Sequence, residues 1–250
     1  MTQISVVTAV YNKSDTLAQA LDSVLSQTHP DVETVLIDGG SAEDTQRILQ
    51  RYCERLDVFI SEPDGGIYDA LNKGIRNATG DVIGFLHADD LFAHERVLAN
   101  IALAFEDPRI EAVYGDLVYV RHDHPEQVVR LWRAGSFDKA ALRHGWMPPH
   151  PTFYARRSLY ERLGGFDTRY RIAADYDCML RFLSQPGIRT SYIPEVLVRM
   201  RTGGVSNRSL SNIFRKSQED LAVAWRNKVG GVRTVAMKNL SKLSQLWRRP

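Results

Sequence analysis

Ile4 to Val10 is a run rich in β-branched residues, and Val32 to Ile37 is a second. Between them Leu17, Ala20, Leu21, Val24 and Leu25 recur at helical spacing behind the polar Ser14-Asp15. Strand, polar loop, helix and strand in that order predict the opening of a βαβ unit. The pattern continues with a helix over Glu43 to Leu56, a short strand over Val58 to Ile60, and a helix after Gly65-Gly66 that ends by Gly80. Val82 to Leu86 is then wholly apolar apart from Gly84, and it stops at His87-Ala88-Asp89-Asp90. Apolar strands alternating with helices predict an α/β fold whose parallel strands are covered on both faces.

The second half is less regular. Arg96 to Phe105 reads as an amphipathic helix, and Ala112 to Asp116 and Leu117 to Val120 as strands that turn antiparallel. Trp146 to Tyr154 is a rigid aromatic loop with three prolines, suited to lining a pocket. A short helix from Arg157 ends at Gly164-Gly165-Phe166-Asp167, and another opens on Ala173-Ala174-Asp175-Tyr176-Asp177. Val196 to Arg201 is a last strand, and the polar, glycine-rich Thr202 to Ser209 is a candidate lid. Beyond it a helix is expected over Ile213 to Trp225. Past Gly230-Gly231, Val232, Val235, Ala236, Leu240, Leu243 and Trp247 again fall at helical spacing.

Charge divides the chain where the pattern does. The net charge is only +2, but residues 208–250 hold ten Lys or Arg and two Asp or Glu, leaving 22 basic and 28 acidic residues elsewhere. This predicts a body over residues 1–207 and a basic, helical extension over 208–250; if residues 232–249 form a membrane-surface helix, a tail-deleted protein should keep activity on a soluble acceptor. The extension either lies on an anionic membrane surface or packs on its own domain. Nucleic acid is not an expected partner, because the body is acidic and carries no recognition motif. Cys53 and Cys178 lie far apart without metal-ligand spacing, no basic apolar leader precedes the first strand, and no apolar run reaches membrane-spanning length. A cytoplasmic protein is expected.

Candidate chemistry gathers at the ends of the strands, where open α/β folds collect ligands. Asp89 and Asp90 could hold a hard divalent cation against a diphosphate, since Mg²⁺ takes one or two carboxylates plus phosphate oxygens. Alternatively they cap a helix beginning near Leu91. Asp38, closing the second strand, could accept from a base or ribose, or could make an Asx turn with Gly39-Gly40-Ser41. Tyr11 could stack on a ligand or pack, and Asn12 reads as a turn residue. Gly66 lets backbone approach a ligand, while Lys73, one turn beyond Tyr68-Asp69, is either a solvated helix cation or a diphosphate contact. No glycine-rich phosphate loop follows the first strand, which excludes the dinucleotide fingerprint and argues against a nucleotidyltransferase. His122-Asp123-His124 reads as a solvated turn rather than a metal site.

Taken in order, Val7-Thr8-Ala9-Val10-Tyr11-Asn12, Asp38-Gly39-Gly40-Ser41, the Gly66 to Gly74 segment, His87-Ala88-Asp89-Asp90, Gly164-Gly165-Phe166-Asp167 and Ala174-Asp175-Tyr176-Asp177 resemble the family 2 glycosyltransferases. The resemblance runs from Ile4 to about Asn207. Ser61 to Ala70 with Ala173 to Asp177 is similar to the branch that builds bacterial capsule and exopolysaccharide repeat units. It implies a GT-A fold, a mixed and mostly parallel sheet flanked by helices, and an inverting, metal-dependent transfer of one sugar. The donor implied is a nucleotide-diphospho-sugar, with a UDP-sugar favoured. The acceptor is a hydroxyl of a glycan or of a polyprenyl-diphosphate-linked sugar at the inner face of the plasma membrane. Thr8, Ala9, Tyr11, Asp38, Gly66, Asn72, Lys73, Ala88 and Asp89 would border the donor. Asp89 and Asp90 would hold Mn²⁺ or Mg²⁺, with Asp90 the direct ligand, and Asp175 would be the general base. Trp146, His150, Asp177 and Arg181 would line the acceptor pocket. Two positions depart from the pattern: Gly39 replaces a frequent second Asp, and His87 stands where many members have the first Asp of Asp-x-Asp. The Gln-x-x-Arg-Trp signature of processive synthases is absent.

Overall fold

The computed structural model describes residues 1–203 and 210–244. Its first half alternates as the apolar pattern requires: β1 (Ile4–Val10), α1 (Leu17–Leu25), β2 (Val32–Asp38), α2 (Glu43–Tyr52), β3 (Val58–Ser61), α3 (Ile67–Asn77) and β4 (Val82–Phe85). There follow β5 (Asp90–Phe92), α4 (Val97–Ala104), β6 (Ala112–Val120), β7 (Val128–Trp132), β8 (Tyr154–Arg156), α5 (Arg157–Leu163), α6 (Ala174–Leu183), β9 (Thr190–Arg201), α7 (Leu210–Arg226) and α8 (Val232–Ser244). Among the described residues the strands form one sheet in the order β3-β2-β1-β4-β8-β6-β9-β5, with β7 paired to β6. β1 runs parallel to β2 and β4, β2 to β3, and β6 to β9, whereas β8, β7 and β5 pair antiparallel with their neighbours.

Both faces of the sheet are covered, which is why β1 is buried at every residue. Val7 and Ala9 point toward α3 and α6 in the largest core cluster, and Ile4 and Val6 toward α4 in a second. Gly84 in β4 is set by close approach: a Cβ there would lie 1.9 Å from the Tyr154 ring of β8. That contact holds the parallel half of the sheet against the antiparallel half.

Three local expectations change. The helix from Glu43 ends at Tyr52, and Cys53–Arg55 is a 3₁₀ turn. Asp90–Phe92 is not a helix start but a strand, paired antiparallel with β9 as Asp90↔Met200 and Phe92↔Val198. β9 begins at Thr190, six residues before the expected strand, because a register shift opposite Gly115 and Asp116 absorbs Pro194, which ordinarily marks a strand boundary. The candidate lid falls largely outside the described residues, which omit 204–209.

Composition changes at residue 207, but packing continues across it. Val223, Ala224 and Val229 belong to the same core cluster as Val7 and Ile83. On α8, Thr234 Oγ1 donates to Arg143 O at 2.9 Å. The Lys238 ammonium is buried 2.8 Å from Asp220 Oδ1 and 3.2 Å from the centroid of the Tyr176 ring. One side of α8 therefore packs on its own domain, and removal of residues 208–250 would strip part of the core. Burial lowers the Lys238 pKa to about 8, against the pull of Asp220. The folded state thus releases this proton before the unfolded chain does, and stability should rise as pH climbs from about 8 toward the ordinary lysine value. Denaturant unfolding across that window should show a gain on the order of 1–3 kcal/mol, absent in Lys238→Met.

Candidate active site

Strand order reverses at β1: its successor β2 lies on one side and β4 on the other. The crevice beyond the carboxyl ends of β1 and β4 is where such folds bind ligands, and the segments leaving those two strands carry Lys13 and His87 to Asp90. Lys13 Nζ lies 3.0 Å from Asp89 Oδ2, with about a quarter of each side chain exposed. Burial raises the Asp89 pKa, but the Lys13 hydrogen bond and the neighbouring charges of His87 and Lys13 outweigh it, and the carboxyl sits below its ordinary value. His87 comes next. Its Nδ1 is buried with no hydrogen-bond partner, and burial holds its pKa below the usual histidine value despite the pull of Asp89 and Asp175.

From His87 the row continues to the acidic start of α6. The rings of His87 and His150 are 5.6 Å apart, and His150 Nδ1 is 3.5 Å from Asp175 Oδ2. Asp175 keeps 23% of its side chain exposed. On its other side the Tyr68 hydroxyl, 3.4 Å from Asp175 Oδ1, donates to Ile172 O at 2.7 Å. Burial, and then the Asp175 charge, push the Tyr68 pKa well above its ordinary value, so this phenol stays protonated. Lys13, Asp89, His87, His150, Asp175 and Tyr68 thus form one row of facing polar groups drawn from five segments.

The row is braced from behind. α6 has no side-chain cap of its own. Instead Glu219 of α7 accepts from the backbone N–H groups of Arg171, Ile172 and Ala173 at 3.1, 2.8 and 3.0 Å. Phe166 packs under Tyr68 at 5.5 Å, and Asn72 grips its backbone on both sides, donating to Phe166 O and accepting from Phe166 N at 2.8 Å each.

Several expected site residues are placed otherwise. Asn72 is occupied by that clamp, so it is not open to the donor as expected. Asp177, expected at the acceptor pocket, is 0% exposed: it accepts from Arg181 Nε at 2.8 Å and from Asn227 Nδ2 at 3.0 Å. Arg181 spends its other N–H groups on the carbonyls of Leu163, Gly164 and Gly165. This pair closes the α5–α6 loop instead of lining a pocket. Asp177→Ala should therefore cost about 3–5 kcal/mol of unfolding free energy in a denaturant titration, the usual result of stranding one member of a buried ion pair. Trp146 packs between Tyr114 and Phe137 with its Nε1 donating to Ala134 O, so it leans on the core and stays only partly buried.

Asp38 turns back on its own chain, though through the N–H three residues on and not the two of an Asx turn. It is fully buried and accepts from Ser41 N, from Gln46 Nε2 at 2.6 Å and from Ser61 Oγ at 2.7 Å. The missing acid beside it has a steric explanation, since a Cβ on Gly39 would lie 2.4 Å from Asp64 Oδ2. The carboxylate of Asp64 fills the place that a second Asp would take. Asn12, with φ 50°, is the turn residue expected, and Tyr11 beside it is 62% exposed. Thr8, Ala9 and Ala88 are buried. Gly66, with φ 113° and open space around its Cα, begins α3, and Lys73 is paired with Glu62 at 2.8 Å.

Asp90 departs most from expectation. It is buried, Oδ1 accepts from Arg201 N at 3.2 Å, and Oδ2 has no partner. Burial, with the adjacent Asp89 charge, pushes its pKa well above the usual carboxylate range. β5 turns Asp90 inward and leaves Asp89 at the crevice, so Asp90 is badly placed to be the direct metal ligand. The His122-Asp123-His124 turn makes ordinary pairs, His122 with Asp15 and His124 with Glu126.

The model of the glycosyl transferase family 2 matches residues 5–172. A PGL/p-HBAD biosynthesis glycosyltransferase of Mycobacterium bovis is 33% identical over 218 residues, covering 85% of this chain and 82% of the relative. The chain belongs to glycosyl transferase family 2. An uncharacterized glycosyltransferase of Mycobacterium tuberculosis is 34% identical over 188 residues, 71% of this chain and 68% of its own length. Among solved structures, the mannosyltransferase PcManGT from Pyrobaculum calidifontis, in complex with GDP-Man and Mn²⁺, superposes with a TM-score of 0.68 at 22% identity over 98% of this chain and 72% of that one. Staphylococcus aureus TarS 1-349 with UDP-GlcNAc gives 0.68 at 16% identity, over 88% of this chain and 66% of that one, so the transferase spans about two thirds of that structure. These likenesses establish the GT-A fold.

Among the described residues of the transferase, no three His, Cys, Asp or Glu side chains gather into a metal cage. None is required where phosphate and water complete the shell of a hard cation. The ionised, partly exposed carboxylate of Asp89 is the kind of oxygen donor such an ion takes, and His87 Nδ1 is a buried donor atom without a partner. Two residues of the row, Lys13 and Tyr68, carry no motif of their own as ligands. Their only signals in the sequence are adjacency to Tyr11-Asn12 and a place inside the Gly66 to Gly74 segment.

Proposed function

We propose that this family 2 glycosyltransferase moves one sugar, with inversion, from a nucleotide-diphospho-sugar to a hydroxyl of a glycan or polyprenyl-diphosphate-linked acceptor in surface polysaccharide synthesis. It would work at the inner face of the plasma membrane. The observation that carries the reading is the row itself, which sets a cation-and-diphosphate end at Lys13 and Asp89 opposite a proton-accepting end at Asp175. The mycobacterial relative named for a biosynthesis glycosyltransferase and the two solved structures with UDP-GlcNAc and GDP-Man support a nucleotide-sugar donor.

A sugar hydroxyl is a weak nucleophile, so a carboxylate that takes its proton in the transition state accelerates attack on the anomeric carbon. Asp175 is placed for this: partly exposed and flanked by His150 and Tyr68, which fix its orientation. At the other end Asp89, with His87, would hold Mn²⁺ or Mg²⁺. When bound, the ion stabilises the charge that develops on the departing diphosphate. Lys13 keeps Asp89 ionised, and Tyr11, Asp64 and Gly66 border the space for the nucleoside. A UDP-sugar is the favoured donor. Attack opposite the diphosphate inverts the anomeric centre and needs no second carboxylate nucleophile.

The test is a panel of UDP- and GDP-sugars scored for binding by calorimetry and for release of nucleoside diphosphate, with Mn²⁺, with Mg²⁺ and with EDTA. The expected result is binding and turnover with one donor class, both lost in EDTA. Undiminished turnover in EDTA would reject the metal.

A further inference from the structure

The two C-terminal helices each bury one side and leave the other bare. On α7, Asp220, Val223 and Ala224 face the body, whereas Phe214 and Trp225 are 66% and 62% exposed. Phe214, Gln218, Leu221 and Trp225 recur at i, i+4, i+7 and i+11, one face of a helix. On α8, Thr234, Val235 and Lys238 face inward, while Val232 and Leu240 are 68% and 62% exposed with exposed Ala236 between them. Trp225 joins the two rows: its Nε1 lies 2.7 Å from where a Cβ on Gly231 would stand, so the indole rests against the turn into α8.

Charge on this surface has one sign. Residues 208–250 contain two acids, and both are turned inward, Glu219 onto the segment before α6 and Asp220 onto Lys238 and Lys216. The exposed charges described on α7, α8 and their turn are Arg215, Arg226, Lys228 and Arg233. Large apolar side chains rimmed by cations, with no exposed acid among the described residues of the tail, complement an anionic bilayer surface: apolar groups enter the headgroup boundary while cations meet phosphates. A second protein docking here would have to offer an acidic rim around an apolar patch.

We propose that α7 and α8 form a docking face for membrane rich in anionic lipid, with Phe214, Trp225, Val232 and Leu240 as the inserted residues and Arg215 and Arg233 as headgroup contacts. The face stands on the tail alone and does not depend on the reading of the transfer site. The test is sedimentation of the full-length chain with phosphatidylcholine vesicles, pure or with about one third phosphatidylglycerol, in rising salt. Binding should need the anionic lipid and weaken with salt. Each cation neutralised near the surface is worth about fivefold in partitioning, so Arg215→Gln with Arg233→Gln should lose tenfold or more. Phe214→Ser with Trp225→Ser should lose at least as much. All four side chains are exposed, so both variants should unfold at the parent's temperature. Equal binding to neutral vesicles, or double variants that bind as the parent does, would overturn the proposal. So would light scattering that shows a dimer which Trp225→Ser dissolves, because the face would then be a subunit interface.

Discussion

Asp175→Asn should bind donor nucleotide and metal as the parent does and transfer sugar roughly 10²–10⁴ times more slowly, the usual cost of losing a general base. The substitution keeps the shape of the side chain, and Asp175 is partly exposed with no short hydrogen bond to lose, so the fold should be untouched. A base acts on the transition state and not on the ground-state complex, so the loss should fall on kcat and leave donor affinity alone. Calorimetry and a transfer assay on the same preparation decide it. Donor binding that vanishes with activity would make Asp175 a binding residue, and normal turnover would move the base elsewhere. The neighbouring Asp177 should fail in the opposite way, losing stability before chemistry, because its partners are Arg181 and Asn227 and it has no exposed surface.

The second large effect separates two adjacent carboxylates. Asp89→Asn removes the one that is ionised and open to the crevice, and turnover should fall on the order of 10²-fold or more, the equivalent of several kcal/mol of charge stabilisation at the leaving diphosphate. Its dependence on Mn²⁺ should weaken in parallel. Asp90→Asn should be far milder. Its carboxyl is buried, with a pKa held well above the usual range first by burial and then by Asp89, so an amide is close to the protonated form. Metal titrations of both variants, followed by nucleotide binding, test the assignment. If Asp90→Asn abolishes metal-dependent binding while Asp89→Asn retains it, the roles are reversed.

The burial of Asp90 shows where sequence reasoning succeeds and where it stops. β1, β2 and β4 were legible because a strand buried on both faces writes its burial into consecutive residues, and the placing of polar loops at their ends located the crevice. β5 was not legible. Three residues that begin with Asp carry no strand pattern, and the strand exists because β9, more than a hundred residues away, pairs with it. That same pairing turns Asp90 inward, while Asp89 stays in the turn just before the strand, at the crevice. The family resemblance singled out Asp175, but the partner that holds Asp177 on one side, Asn227, lies far along the chain. Charge marked residues 208–250 as different, and the helical spacing of their apolar positions could not say whether they met a membrane or the body. Lys13 and Tyr68 were missed for another reason. Each takes its meaning from one contact, to Asp89 and to Asp175, and nothing local records it.

The grip of Glu219 on Arg171 to Ala173 has a consequence in time as well as space. A polypeptide leaves the ribosome from its N-terminus and folds in that direction as far as its contacts allow. Every residue of the row from Lys13 to Asp175 emerges before the carboxylate that fastens the loop holding Asp175, and before the helix that completes the core behind it. The nascent transferase therefore carries its chemistry in an unfinished frame until α7 and α8 have been made. A prematurely terminated chain ending near residue 207 should be an inactive and unstable fragment rather than an unregulated enzyme.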